Sequence, residues 1–302
     1  MKLVTFYNQV GNQRAGCLKD DQIIDLEKAS NGDIPSSMLE IIQNQQSYLP
    51  FIQELLKSEE VSSQSIDEVK LAPPLSNPPS FRDFVAFEKH VKNATKRNGD
   101  KVAPEWYEMP IFYFSNPHSL KGPNEEVKRP AKCMRLDYEL ELACIIGKEG
   151  IDIKADEAEE YIFGYTILND WSARDLQMKE MKVLLGPAKG KDFATSIGPY
   201  IATKEEFEPY KVNGRFDLEM TASVNGAVLS KGNFKEVFYT FGEMIERASE
   251  GVKLYPGDII GSGTVGYGCI MELGIEVHRW LEPGDEVELS ITELGSLKNI
   301  IV

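Results

Sequence analysis

A run of alternating acidic and apolar residues at positions 136–146 constrains the fold more than any other stretch of the chain. It reads Leu-Asp-Tyr-Glu-Leu-Glu-Leu-Ala-Cys-Ile-Ile. Alternation with a period of two predicts a β-strand whose two faces differ. Glu139 and Glu141 would lie on the same face, where their negative charges repel each other. A divalent cation such as Mg²⁺ or Ca²⁺ would neutralise the pair, although an ordinary strand with a solvated acidic face also fits the alternation.

A third carboxylate follows a second predicted strand. Residues 161–169 are rich in β-forming residues and lead to Asp170, where a polar turn begins. Because such turns often hold ligands, Glu139, Glu141 and Asp170 are predicted to form an all-oxygen metal site. Zinc ligands are not indicated, since the sequence has no CxxC or HExxH motif and its three histidines are far apart.

The composition indicates an ordinary globular protein. Its 302 residues are enough for one large and one small domain. Of these residues, 42% are hydrophobic and 27% are charged, as in ordinary soluble domains. No apolar run approaches the roughly 20 residues of a membrane span, and the first residues lack a signal-peptide core. With four scattered cysteines, we expect a reducing cytoplasm and no disulfide framework. The net charge of −15 argues against nucleic acid or an anionic membrane as partner, and an anionic substrate would need a locally positive pocket.

A proline-rich stretch marks the expected domain boundary. Residues 71–80 contain four prolines and read as an extended connector. Residues 1–70 are predicted to form a small α/β domain, with strands at 2–7, 15–18 and 22–26 and helical patterns at 38–42 and 51–56. Residues 71–302 are predicted to form a larger β-rich domain, which makes the fold class α+β. Its Asn225-Gly226 pair predicts a hairpin, and helices are expected at 83–95, 156–160, 175–182 and 241–248.

A possible base and its partner are the next candidates. Asp83 and His90 are seven residues apart, so they would share one face of the predicted 83–95 helix. A histidine can act as a base near neutral pH, although a stray histidine on a surface helix is the plainer interpretation. Glu272 lies among apolar residues and should have a polar partner. We expect that partner to be the imidazole of His90.

Several polar residues complete the pattern. Arg174 and Gln177 would share a helix face just after Asp170, and Lys191 lies in a loop where it could simply be solvated. Residues 261–268 have the glycine density of an anion-binding loop. They match neither a Walker A sequence nor GxGxxG, because no Lys-Ser/Thr pair and no helical run follow.

Together these motifs resemble the fumarylacetoacetate hydrolase family. The resemblance covers residues 79–302 and rests on five motifs in the same order: Asp-Tyr-Glu-Leu-Glu-Leu-Ala at 137–143, Asn-Asp-Trp-Ser-Ala-Arg-Asp-Leu-Gln at 169–177, Gly-Lys-Asp-Phe at 190–193, Pro-Gly-Asp at 256–258 and Gly-Ser-Gly-Thr at 261–264. It implies a mixed β-roll fold, a divalent cation (Mg²⁺, Ca²⁺ or Mn²⁺), a homodimer and a small 2-oxo or β-diketo acid substrate. Residues 1–70 look like the short α/β cap of bacterial members.

The resemblance also implies a role for each matching residue. The metal ligands would be Glu139, Glu141 and Asp170, with Asp83 as a fourth. The general base would be His90, oriented by Glu272. The residues that bind or polarise substrate would be Tyr113, Arg174, Gln177, Lys191 and Thr264.

The reaction itself stays open, because related bacterial proteins include hydrolases, decarboxylases, isomerases and hydratases. Hydrolytic C–C cleavage of a fumarylacetoacetate-like or acylpyruvate-like acid is favoured. The alternatives are oxaloacetate decarboxylation or tautomerisation, isomerisation or hydration of a 2-oxo acid, and a non-catalytic module that binds a metal and a carboxylate.

Overall fold

A sheet-rich α+β fold is formed by residues 1–58, 61–99 and 101–302, which the computed structural model describes. This confirms the fold class expected from the sequence. The strands are β1 Lys2–Tyr7, β2 Gln13–Lys19, β3 Gln22–Asp25, β4 Ser63–Ser65, β5 Lys70–Leu71, β6 Phe81–Phe84, β7 Phe112–Phe114, β8 Leu120–Lys121, β9 Glu126–Val127, β10 Leu136–Asp137, β11 Leu140–Ile146, β12 Ile162–Asn169, β13 Ser172–Ala173, β14 Thr195–Thr203, β15 Lys211–Val212, β16 Arg215–Phe216, β17 Glu219–Val224, β18 Ala227–Asn233, β19 Ile259–Gly261, β20 Glu286–Ile291 and β21 Gly295–Ile301. The α-helices are α1 Leu26–Ala29, α2 Met38–Gln43, α3 Gln45–Leu55, α4 Glu88–Asn98, α5 Arg174–Met181, α6 Phe241–Ser249 and α7 Ile270–Leu273. Short 3-10 helices lie at Ile66–Glu68, Pro104–Tyr107, Ala158–Tyr161, Lys204–Tyr210 and Phe234–Glu236.

Two sheets enclose the main core. The larger sheet has the order β4-β3-β2-β1-β14-β12-β11-β19-β6-β7, with β5 beside β1 and β8 beside β14. The smaller sheet has the order β18-β17-β20-β21-β9. At the centre, β11 and β12 are antiparallel, and every residue of both strands is buried. The acidic face predicted near residue 141 is therefore interior, and the interpretation as a solvated face is wrong.

The N-terminal strands continue the larger sheet. Strand β1 pairs antiparallel with β14, so that Lys2 lies opposite Ala202. Leu3 and Ile41 from the N-terminal segment share one apolar cluster with Phe163 and Ile259. The division into two domains, residues 1–70 and 71–302, stays a prediction. In the structure, the hydrogen bonds of the sheet and this shared apolar cluster hold the two segments together.

The prediction of a helix at residues 83–95 is wrong for its N-terminal part. Residues 81–84 form β6, which pairs parallel with β19 and antiparallel with β7, and the helix begins only at Glu88. Asp83 therefore lies on a strand and does not share a helix face with His90. The strand partners come from distant sequence, so a local pattern could not reveal them. The helices expected at 175–182 and 241–248 are present as α5 and α6, whereas the 156–160 segment is only a 3-10 turn.

The run at 136–146 is two strands. Strand β10 pairs with β13, while β11 pairs with β12 and β19. Glu139 lies at the break between them and so does not share a strand with Glu141. The predicted hairpin is present, since Asn225 and Gly226 both have positive φ, 51° and 79°, as its tight turn requires.

The described ranges contain no helix that is both long enough and apolar enough to cross a membrane. The cysteines are free and buried, which agrees with the expected lack of a disulfide framework: Cys17, Cys133, Cys144 and Cys269.

A buried hydroxyl pair joins the segment between β10 and β11 to the smaller sheet and gives a test of the fold. Tyr138, at the break after β10, shares a hydrogen bond of 2.7 Å with Ser230 on β18. We expect Tyr138→Phe to lower the free energy of unfolding by about 1–2 kcal/mol, because the Ser230 hydroxyl is left buried without its partner. Adding Ser230→Ala should recover part of that loss in urea unfolding. Ser290→Ala, which breaks an exposed hydroxyl pair with Ser296, is the matched control. Equal losses in both pairs would contradict the expectation.

Candidate active site

Three carboxylates converge where β6, β11 and β12 come close together. Oxygens of Asp83, Glu141 and Asp170 lie within 4.8 Å of one another, and all three side chains are buried. Gly261 on the intervening strand β19 makes this approach possible. A Cβ atom there would lie 2.3 Å from Asp83 Oδ1 and 3.4 Å from Glu141 Oε2. Any side chain at position 261 would therefore push the carboxylates apart.

The cluster fits a divalent cation. Asp83 Oδ1 and Asp170 Oδ1 are buried and lack a hydrogen-bond partner among the described residues. Burial and then the charge of Asp170 raise the pKa of Asp83 well above its ordinary value, while burial and then Asp83 do the same for Glu141. Burial also raises the pKa of Asp170, against the effect of Lys191. A hard cation would satisfy the unpaired oxygens and neutralise the repulsion, since carboxylates are preferred ligands of Mg²⁺, Mn²⁺ and Ca²⁺.

Glu139 lies beside the cluster and is paired with two cations. Its Oε1 accepts a 2.7 Å hydrogen bond from Arg174 Nη2, and its Oε2 accepts one from Lys191 Nζ. Lys191 Nζ also contacts Asp170. Burial opposes ionisation of Glu139, but Arg174, Lys191 and His90 hold its pKa below its ordinary range. Both positive charges come from residues distant in sequence, 35 and 52 positions from Glu139. The role of Glu139 as a metal ligand stays a prediction.

The glycine-rich loop at 261–268 donates hydrogen bonds to a carboxyl group of the protein itself, that of Glu141. Gly263 N donates to Glu141 Oε2 at 3.0 Å, and Thr264 Oγ1 donates to Glu141 Oε1 at 3.2 Å. The loop therefore fixes the position of the Glu141 carboxyl group. Thr264 is buried at the edge of the acidic cluster, and its contact with substrate remains a prediction.

His90 and Glu272 form a buried pair across 182 positions of sequence. His90 Nδ1 on α4 and Glu272 Oε1 on α7 are 2.5 Å apart, the contact expected from the sequence. Asn93 Nδ2 and the backbone N–H of Tyr267 each donate to Glu272 Oε2 at 2.8 Å. Burial opposes ionisation, but these contacts and His90 hold the pKa of Glu272 below its ordinary value. Since Glu272 engages Nδ1, His90 Nε2 is the ring nitrogen left for proton transfer.

The remaining predicted residues surround the same cluster. Tyr113 Oη donates to Asp170 Oδ2 at 2.6 Å and lies 3.4 Å from Asp83 Oδ2. Arg174 Nη1 donates to Gln177 Oε1 at 3.1 Å, as their spacing on α5 predicts. The structure thus gathers the predicted site residues into an acidic group with its cations and a neighbouring imidazole–carboxylate pair.

Two contributing residues were given no role in the sequence analysis. Asn93 lies three positions after His90 on α4, so helical spacing could have identified it as a second donor to Glu272. Asp137 accepts a 2.9 Å hydrogen bond from Arg174 Nε. Asp137 belongs to the same alternating run at 136–146 as Glu139 and Glu141, and its position in that run could have identified it.

The metal site can be tested by removing one negative oxygen. We expect Asp83→Asn to weaken Mn²⁺ binding more than tenfold, because one oxygen of the converging cluster becomes a poorer ligand. Isothermal titration calorimetry measures the affinity. Glu272→Gln, a change at a buried carboxylate whose oxygens are already hydrogen-bonded, is the control and should leave Mn²⁺ affinity close to wild type. Equal affinities in all three proteins would exclude the cluster as the metal site.

Metal binding should also depend on pH. Because the pKa values of Asp83 and Glu141 are raised, both carboxyl groups keep protons at pH values where exposed carboxyl groups are ionised. A cation must displace those protons, so its affinity should rise with pH and protons should be released. Calorimetry in two buffers with different ionisation enthalpies counts the protons. A pH-independent affinity with no proton release would contradict this expectation.

Comparison with known proteins places this site in a family. The sequence model of the fumarylacetoacetate (FAA) hydrolase C-terminal domain matches residues 80–302. The oxaloacetate tautomerase YisK of Bacillus subtilis is 30% identical over 299 residues, 94% of each protein. The fumarylacetoacetase of Arabidopsis thaliana is 29% identical over 270 residues, 70% of this chain and 64% of the plant enzyme. The solved fumarylacetoacetate hydrolase of Exiguobacterium antarcticum superposes with a TM-score of 0.77 at 27% identity, covering 100% of this chain and 99% of that one. The chain therefore belongs to the fumarylacetoacetate hydrolase family.

Proposed function

We propose that the protein is a divalent-metal-dependent hydrolase that cleaves a C–C bond in a small β-diketo acid, such as an acylpyruvate or fumarylacetoacetate. The observation that carries this proposal is the buried His90–Glu272 pair close to the acidic cluster. A binding module needs only the cluster, whereas a hydrolase also needs a held base that can deprotonate water.

Asp83, Glu141 and Asp170 would hold the cation, with Glu139 beside them. Mg²⁺ or Mn²⁺ is the proposed ion, and Ca²⁺ would fit the same oxygen ligands. When bound, the cation supplies Lewis acidity to the keto oxygens of the substrate.

His90 would start the reaction as a general base. Its Nε2 takes a proton from water, and Glu272 holds Nδ1–H and stabilises the imidazolium that forms. The resulting hydroxide adds to the distal carbonyl carbon. The bond between that carbon and the central carbon then breaks, and its electron pair passes to the 2-oxo acid fragment as an enolate. The enolate takes up the proton from His90, which leaves a carboxylic acid and a 2-oxo acid.

Arg174 and Lys191 give the site the local positive charge that a chain of net charge −15 otherwise lacks. Both side chains are buried, and ion pairs with Glu139 and Asp170 fix their positions. Gln177 and Tyr113 add neutral donors next to them. We propose that this group orients the substrate carboxylate and stabilises the oxyanion formed when water adds.

Oxaloacetate tautomerisation is the second candidate. The near full-length similarity to the Bacillus subtilis tautomerase favours it. It uses the same metal site and moves a proton between carbon and oxygen, but it needs no attacking water. Oxaloacetate decarboxylation and isomerisation or hydration of a 2-oxo acid stay further alternatives. The homodimer and the cytoplasmic location expected from the sequence also stay proposals.

Substitution of His90 tests its proposed role as the general base of the hydrolytic reaction. With Mn²⁺ present, we expect His90→Ala to lower kcat for acylpyruvate hydrolysis by at least about 100-fold, the usual contribution of a general base. Mn²⁺ affinity should stay near wild type, because His90 is not assigned to the metal. His118→Ala, a change at an exposed histidine, is the matched control.

A wild-type protein that interconverts the enol and keto forms of oxaloacetate, but hydrolyses no β-diketo acid in a panel, would establish the second candidate instead. Full hydrolytic activity in His90→Ala would remove His90 from its assigned role.

A further inference from the structure

Asp137 is a fully buried carboxylate between the two parts of the site. It is 0% exposed and lies two positions before Glu139. Its Oδ2 accepts hydrogen bonds from Arg174 Nε at 2.9 Å and from the backbone N–H of Met271 at 3.0 Å. Its Oδ1 accepts one from the backbone N–H of Ile270 at 2.8 Å. A single carboxylate thus contacts both an arginine of the acidic group and the helix that carries Glu272.

On one side, Asp137 orients the Arg174 guanidinium. Arg174 uses Nε for Asp137, Nη2 for Glu139 and Nη1 for Gln177. These three acceptors engage different edges of one rigid, planar group, so they define its orientation. A movement of Asp137 would therefore move the contact with Glu139.

On the other side, Asp137 fixes the position of α7. This helix has only four residues, and its preceding residue, Cys269, provides no side-chain cap. The carboxylate of Asp137 instead accepts from the N–H groups of its first two residues. Glu272 is the next residue of the helix, so these bonds fix the backbone that aims its carboxylate at His90.

We propose that Asp137 is a positioning residue that couples Arg174 to helix α7 and thereby sets the hydrogen bond between Glu272 and His90. The carboxylate form matters, since all three of its partners are donors. An amide in its place would direct an N–H group towards Arg174 or towards the helix backbone, and one of these contacts would be lost.

A matched control exists elsewhere in the chain. Asp285 is also a buried aspartate that binds an arginine, Arg279, and a backbone N–H, that of Glu282. Within the described part of the chain, the partners of its carboxylate are Asn225, Arg279 and Glu282, and none of them belongs to the candidate site. Asp285→Asn therefore reproduces the cost of changing a buried, arginine-paired aspartate without touching the proposed coupling.

The first test reads the imidazole directly and needs no substrate. The chain has three histidines, so the resonance of the His90 Nδ1 proton can be assigned by NMR from its loss in His90→Ala. We expect Asp137→Asn to shift or broaden this resonance and Asp285→Asn to leave it unchanged. An unchanged resonance in a folded Asp137→Asn protein overturns the proposal. If Asp137→Asn does not fold, Arg174→Lys replaces it, because an ammonium group cannot span Asp137 and Glu139, and an unchanged resonance there overturns the proposal equally.

The second test measures catalysis and rests on the proposed function. Loss of a residue that orients a functional group typically costs about 10- to 100-fold in activity, and we expect a decrease of that size in kcat for Asp137→Asn with a smaller change in KM. In a Glu272→Gln background the same substitution should cost at least several-fold less, because the contact through which it acts is already altered. A purely structural role gives equal costs in both backgrounds and overturns the proposal. If the wild type turns over no keto acid, the proposed function fails while the NMR result still decides the role of Asp137.

Discussion

Repulsion between buried carboxylates is the constraint around which this site is built. Asp83, Glu141 and Asp170 are held together in the interior, where desolvation makes each charge costly unless it is balanced. The protein balances part of the charge itself, through Lys191 against Asp170 and through Arg174 and Lys191 against Glu139. Asp83 Oδ1 and Asp170 Oδ1 have no hydrogen-bond partner among the residues that the structure describes, so an added positive charge would stabilise the cluster there.

The main sheet provides the rigidity that such a cluster needs. Strands β6, β19, β11 and β12 lie side by side, and their hydrogen bonds fix the spacing of the acidic side chains. Gly261 removes the one side chain that would separate Asp83 from Glu141, and the loop after it clamps Glu141 through Gly263 and Thr264. Backbone pairing therefore sets the positions from which the three carboxylates converge.

The imidazole–carboxylate pair is what distinguishes the proposed reaction from simpler chemistry on the same scaffold. An acidic cluster alone could bind and polarise a 2-oxo acid, which is sufficient for binding. A histidine held by Glu272 adds the ability to accept a proton and return it. The contacts of Asp137 connect helix α7, which carries Glu272, to Arg174. The proposed base and the group proposed to orient substrate are therefore parts of one hydrogen-bonded structure.

The fold class and the chemical character of the site could both be predicted from the order and spacing of residues in the sequence. Local patterns were sufficient for β1, β12, the β17–β18 hairpin and helices α5 and α6, because the composition, helical spacing or turn residues within each segment indicate the element that it forms. The ordered motifs at 137–143, 169–177 and 261–264 identified residues that the fold brings together.

The arrangement of those residues depends on contacts that form in the assembled fold. Asp83 belongs to a strand because β19, some 180 residues away, supplies its partner, and no local period could show this. Glu139 and Glu141 separate because β10 and β11 pair with different strands. The glycine-rich loop donates hydrogen bonds to Glu141, and Asp137 contacts both Arg174 and the start of α7. Each of these outcomes depends on contacts between distant segments, and such contacts are established only when the whole sheet is assembled.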